Sequence, residues 1–247
     1  MSLKYQTEEE ELQAQDTAAA AAVSAPTPVP IYTIALIVAI GIVAAVQIGT
    51  SLDASIGAAG FDKQLFLKQH QYWRILTGAT EHGSLLHVAM NSYAFYNFGK
   101  IFEMLSNRAH LAIVFLLSAI GGGVLSLIFQ PDGISVGASG GIVGLIGYLA
   151  VYAFRRREFI SPAFRKNLLI NIGFILIFGL VLYQTIDNFG HIGGLITGAV
   201  YGFLQIPSAA HIDPREGGPA VQFAGLGAMG IYIAGCVFTI LLILHIV

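Results

Sequence analysis

The chain has 247 residues, 55% of them hydrophobic and only 11% charged, with a formal net charge of −2 and a mean hydropathy of +0.74. An ordinary soluble domain carries roughly one-quarter charged residues, so composition excludes a soluble globular fold, and the near-zero charge gives no basis for a nucleic-acid partner. The apolar residues fall into runs near the roughly 20 residues that an α-helix needs to cross about 30 Å of hydrocarbon, and the expected fold is an all-α polytopic membrane protein.

Residues 1–30 are polar, then alanine-rich, then punctuated by Pro26, Pro28 and Pro30, with an acidic run from Glu8 to Glu11. They lack the basic start and short apolar stretch of a cleavable signal peptide and read as a flexible cytosolic tail. Seven spans are expected at residues 31–50, 85–105, 110–129, 138–154, 168–185, 190–207 and 222–246. The segment 51–84 does not span. Its charges and its aromatics Phe61, Phe66, Tyr72 and Trp73 suit a structured loop at the interface, where rings find one apolar and one wet side. Residues 208–221, with Asp213, Pro214 and Arg215, read as a polar linker. Cys236 is the single cysteine, so neither an intrachain disulfide nor a Cys-based metal site is expected.

The 12 basic residues fix an expected orientation. With a cytoplasmic N-terminus, only Lys63, Lys68 and Arg74 fall outside, and the cluster Arg155, Arg156, Arg157, Arg165 and Lys166 falls inside. The positive-inside rule then places the C-terminus outside, as expected of a bacterial inner membrane or a plasma membrane.

In that topology the second, fourth and sixth spans begin at the outer face, and their first turns bring His87 and Asn91, Ser139, and His191 to one depth. Polar groups held in a membrane are costly and mark a cavity or a function. Ser139 stands in Gly137-Ala138-Ser139-Gly140-Gly141, at a helix start whose backbone N–H groups lack intrahelical acceptors. Alone, Gly140 and Gly144 would read as a packing seam with Ser139 as a cap. His191 alters that reading. It precedes Gly194, Gly198 and Gly202, a smooth face on which the fourth span can pack through Gly140 and Gly144, and an imidazole beside a serine can accept its proton and return it to a leaving amine. His87 and Asn91, four residues apart, share a helix face. A donor aimed at a developing oxyanion contributes roughly 2.7–4 kcal/mol, against about 0.6–2 kcal/mol for an interhelical hydrogen bond.

Taken in order, Trp73-Arg74, His82, His87 with Asn91, Gly99 with Glu103, the Gly137-Ala138-Ser139-Gly140 box, and His191 with Gly194 resemble the rhomboid family of intramembrane serine proteases over residues 31–207. The resemblance implies a Ser139–His191 dyad without a third acid and an oxyanion site from the Ser139 backbone amide, His87 and Asn91. It also implies structural support from Trp73, Arg74, His82 and Glu103, and cleavage of single-pass membrane proteins near the outer face of the bilayer. The implied architecture is a rhomboid-like six-helix core plus one C-terminal transmembrane helix, working without metal or organic cofactor. One position departs from the pattern: the family often carries an aromatic residue four positions after the nucleophile, packed on the catalytic histidine, and here Val143 stands there. The small Gly141 and Gly144 are expected to compensate by letting the sixth span sit closer.

Other chemistries fare worse. The sequence has no His-Glu-x-x-His zinc signature, and Asp187, at a membrane edge, has no carboxylate mate for aspartyl proteolysis. A small-solute transporter would call for an inverted repeat and midplane polar groups. A noncatalytic protein binding transmembrane segments would need neither Ser139 nor His191.

Overall fold

The computed structural model describes residues 29–182, 185–209 and 211–246; the acidic and alanine-rich runs of the N-terminal tail lie outside them. In chain order the elements are α1 (Ile31–Gly49), α2 (Leu52–Ala59), β1 (Phe61–Asp62), α3 (Lys63–Lys68), α4 (Arg74–Thr77), α5 (Leu85–Leu105), α6 (Arg108–Phe129), β2 (Ile134–Ser135), α7 (Ser139–Arg155), α8 (Pro162–Val181), α9 (Asn188–Gln205) and α10 (Pro219–Ile243). The fold is all-α apart from one two-residue antiparallel ladder, in which Phe61 faces Ser135 and Asp62 faces Ile134. Helices α1, α6, α8 and α10 are long and apolar enough to cross a membrane by length and composition, and α7 is apolar but shorter at 17 residues. The chain is an integral membrane protein with several spans.

Helices α6 and α7 form the centre, with Leu111, Val114, Phe115, Leu145, Ile146 and Leu149 fully enclosed. Helix α1 docks on α5 through a partly buried acceptor: the Thr33 backbone N–H and hydroxyl both donate to Glu103 Oε1, at 2.8 and 2.7 Å. A Cβ at Gly99 would lie 2.5 Å from Thr33 Oγ1, so the expected Gly99–Glu103 motif is where α1 is seated. Helix α10 closes the far side. Gly225 meets Ala109 backbone to backbone, the Tyr232 hydroxyl donates to Ala79 O at 2.9 Å, and Thr239 shares a 2.9 Å hydrogen bond with Thr80.

The expected interfacial loop is ordered throughout. Ser51 caps α2 by accepting from the Ala54 N–H, and Asp62 caps α3 by accepting from Gln64 and Leu65. Buried Arg74 donates to Gly60 O at 2.7 Å, Gly57 O at 3.2 Å and Gln71 Oε1, tying α2, the ladder and α4 together. Trp73 is half exposed and sets its ring edge-on to Phe238 of α10.

Most expected boundaries fall within three residues of the observed ones, but the fifth span is displaced. It runs from Pro162 to Val181, instead of 168–185. Ser161 accepts from Phe164 N–H and Pro162 occupies the first helical position, an arrangement that starts a helix despite the Arg165 and Lys166 charges that follow. The linker likewise ends early, because Pro219 opens α10.

Candidate active site

Three helix starts converge. Helix α7 begins at Ser139 itself, after a backbone that reaches it through Gly137 at φ +128. Side chains rarely adopt that φ, and a Cβ there would lie 2.8 Å from His87 Cε1 and 3.6 Å from Asn91 Nδ2. Glycine is therefore required both by conformation and by the approach of the α5 side chains. The Gly137 N–H donates to Gly78 O at 2.9 Å, which fixes the turn against the end of α4.

Across from it, α9 lies on α7 with almost no side chain between them. A Cβ at Gly194 would fall 2.1 Å from Gly140 O, and one at Gly198 would fall 1.9 Å from Gly144 O. This is the seam the glycine spacing predicts, and it brings His191 Nε2 to 2.9 Å from Ser139 Oγ. His191 Nδ1 is buried and has no partner among the described residues. The carboxylate one turn earlier, Asp187, turns elsewhere: it caps α9 by accepting from Gly190 N–H and receives the hydroxyls of Ser126 and Ser135.

On the α5 side, His87 Nδ1 accepts from the Gly83 N–H at 3.4 Å, which leaves the proton on Nε2, the nitrogen beside Gly137. Asn91 Nδ2 is a buried donor without an acceptor among the described residues. Buried donors are normally satisfied, so an amide held unsatisfied in the cavity that Ser139 lines is available to an oxygen that arrives with a ligand. Ser139, His191, His87 and Asn91 all line one cavity of about 880 Å³, whose outer wall includes Phe174 and Phe178 of α8.

Behind His87 stands His82, fully buried, with ring centroids 4.9 Å apart in an edge-to-face arrangement. Its backbone N–H donates to Gln47 Oε1 at 3.0 Å. Burial, with a smaller contribution from His87, pushes the His82 pKa down to about 3, so the ring is neutral. The adjacent Glu81 is also enclosed, and burial pushes its pKa up to about 8 against the pull of Arg74.

A match to the Rhomboid domain covers residues 69–208. The chain belongs to the rhomboid family. It is 31% identical over 168 residues to Rhomboid protease GluP of Bacillus subtilis, covering 68% of this chain and 33% of that protein. It is 30% identical over 178 residues to the mitochondrial RHOMBOID-like protein 6 of Arabidopsis thaliana, covering 69% and 54%. It is also 30% identical over 139 residues to Inactive rhomboid protein 1 of Papio anubis, covering 56% and 16%. This rhomboid chain thus spans about a third to a half of the length of the first two relatives.

Within the rhomboid site one expectation is corrected. Gly141 does not open room for α9: a Cβ there would meet the Phe115 ring on α6 at 2.7 Å. Of the two, Gly144 alone serves that closeness, facing Gly194 O and Ser118, because Gly141 is rotated onto the α6 side of the helix. Val143 is buried and lines the same cavity as His191. Four residues were missed as site neighbours: Lys63, Ser126, Ser135 and Asp187. Lys63 is 1% exposed, and burial pushes its ammonium below the ordinary lysine range while Asp187 and Asp62 oppose the shift. The signal available was a lysine directly after an Asp cap, in a segment otherwise read as interfacial.

Proposed function

We propose that the chain is an intramembrane serine endopeptidase, hydrolysing peptide bonds in or near transmembrane segments of membrane proteins, single-pass proteins above all. The observation that carries this reading is the 2.9 Å contact between Ser139 Oγ and His191 Nε2 in a cavity that His87 and Asn91 also line, in a member of a family that includes a protein named Rhomboid protease GluP. His191 takes the Ser139 proton as Oγ attacks the scissile carbonyl, and the tetrahedral oxyanion is met by the Ser139 N–H, His87 Nε2–H and Asn91 Nδ2–H. His191 then protonates the leaving amine, and water, activated by the same imidazole, hydrolyses the acyl-enzyme and frees Ser139. Neither a metal nor an organic cofactor enters these steps. The substrate helix must locally unwind, since an amide locked in a helix presents no accessible carbonyl.

In the same reading α1, α5, α6, α7, α8 and α9 make the six-helix core over residues 31–207, α10 is the additional span, and 208–221 links them. Residues 1–30 form the cytoplasmic tail and the C-terminus lies outside, in a bacterial inner or plasma membrane. Trp73, Arg74, His82, Glu103, Gly137, Gly140, Gly194 and Gly198 hold the site in shape without taking part in chemistry.

A noncatalytic protein that binds transmembrane segments is the second reading, favoured by the similarity to Inactive rhomboid protein 1. The two are separated by a fluorophosphonate probe on the purified chain. A hydrolase is labelled, and labelling and cleavage of a transmembrane peptide panel vanish in Ser139→Ala and fall by orders of magnitude in His191→Ala. Labelling that survives Ser139→Ala would remove the proposed nucleophile.

A further inference from the structure

Beside the serine and the histidine lies a partly buried polar knot that the steps above do not use. Asp187 accepts from several directions: the Gly190 N–H reaches Oδ1 at 2.8 Å, the Ser135 hydroxyl reaches Oδ2 at 2.5 Å, and the Ser126 hydroxyl bonds to the same oxygen. Lys63 Nζ donates to Ser135 Oγ at 2.7 Å and stands 3.9 Å from Asp187 Oδ2. One carboxylate therefore joins α3, α6, β2 and the start of α9.

Two of those four elements lead directly into the reacting pair. Ser135 stands four residues before Ser139 and Asp187 four residues before His191. Between Ser135 and Ser139 the chain passes through Gly137 at φ +128, a conformation that a free segment would leave easily, so something must hold the strand that precedes it. His191, for its part, has no acid on Nδ1 among the described residues to orient its ring. An ion pair of this kind, with Lys63 buried and Asp187 partly exposed, is weak support for stability in its own right, since apolar replacements of similar shape often fold as well. Its position between the two segments is what calls for an account.

We infer that Asp187 is a positioning residue for the Ser139–His191 pair, holding by hydrogen bonds the two segments that carry them, where a third acid would have held the imidazole by direct contact. This inference rests on the hydrolase reading. Misplacing a reacting group by about 1 Å costs on the order of 100-fold in rate, so slack in either segment appears in turnover more than in binding.

The test uses the full chain, a cleavable transmembrane peptide and two double variants. Lys63→Met with Asp187→Asn removes both charges but keeps the shape, with an amide oxygen to accept Gly190 N–H and an amide nitrogen to donate to the two serines. Lys63→Met with Asp187→Ser keeps an oxygen that can cap α9 but is too short to reach Ser126 or Ser135. The first is expected to turn over near the parent rate. The second loses on the order of 10- to 100-fold in kcat with KM unchanged. Ser126→Ala, which removes one cross-link without touching a charge, moves kcat in the same direction by less and decides the matter should the serine double fail to fold. Equal kcat in the two doubles with Ser126→Ala at the parent rate, or a loss confined to KM, overturns the inference. Probe labelling keeps the two readings apart: a parent that never reacts at Ser139 sinks the hydrolase and this inference together, whereas a labelled parent with equal doubles sinks the inference alone.

Discussion

Helices α8 and α9 both neighbour α7, and they do so in opposite ways. Helix α9 meets it through Gly194 and Gly198, with backbone against backbone and His191 one turn above. Helix α8 buries only Leu168 and Gly179 within its span, and leaves Phe174, Ile177, Leu180 and Val181 largely exposed. Of the two, only α8 is apolar enough along its length to read as a span by composition, yet it is α9 that packs closely; side-chain volume separates them. Glycine costs about 1 kcal/mol relative to alanine inside a helix, and a row of them is repaid only where another backbone comes close. The contrast therefore divides the cavity: Ser139 and His191 stand beside a backbone-to-backbone contact, and the α8 wall is a thinly packed helix.

The largest expected effect breaks the tight side. In Gly198→Leu the new Cβ would start 1.9 Å from Gly144 O, an oxygen fixed in the α7 backbone, so the helices must part or the protein must not form. The cost should exceed the roughly 4–5 kcal/mol that marks an exceptional single substitution. Thermal unfolding in detergent and fluorophosphonate labelling should both collapse. A variant that melts with the parent would mean the seam is not what holds α9, and the contrast with α8 would go with it.

A middle-sized effect concerns the charges buried around the tight body. Glu81 has its pKa raised from 4.5 to about 8 by burial, so between those values the folded chain holds a proton that the unfolded chain has released. Its contribution to stability is complete below about pH 4.5, shrinks as pH rises and is gone above about pH 8. Glu81→Gln is neutral at every pH and should flatten the fall in melting temperature between pH 5 and pH 8. Parallel slopes for parent and variant would show that Glu81 does not carry that proton.

Which of these features could be read from the amino acids follows a physical line. Gly140, Gly144, Gly194 and Gly198 were legible because four-residue glycine spacing describes a helix face without reference to its partner. Ser139 and His191 were legible because the topology puts two helix starts at one depth, and Glu103 because the resemblance marks it. The side on which Gly141 falls was not, since it depends on how α7 is rotated against α6, and spacing does not fix that rotation. The start of α8 was hidden because Arg165 and Lys166 look like loop residues, although a Ser-Pro start places them in the first helical turns. Asp187 escaped for a deeper reason. Its partners Lys63, Ser126 and Ser135 come from three other elements, each contributing one unremarkable polar residue, and only the folded chain gathers them.

The smallest effect is expected on α8 and is the most direct check of its thin packing. Leu180 is 68% exposed, and in a bilayer that surface would face lipid. Acyl chains are as apolar as a leucine side chain, so a leucine on such a surface gains little from being there. Truncation in Leu180→Ala removes lipid contact, leaves no cavity inside the protein and stays within about 0.5 kcal/mol of the parent. A buried leucine would lose roughly 2–5 kcal/mol by the same change, a difference that thermal unfolding in lipid nanodiscs resolves easily. A cost of that larger size would mean that α8 is covered in the membrane by something beyond this chain, and the loose wall of the cavity would then be an interface.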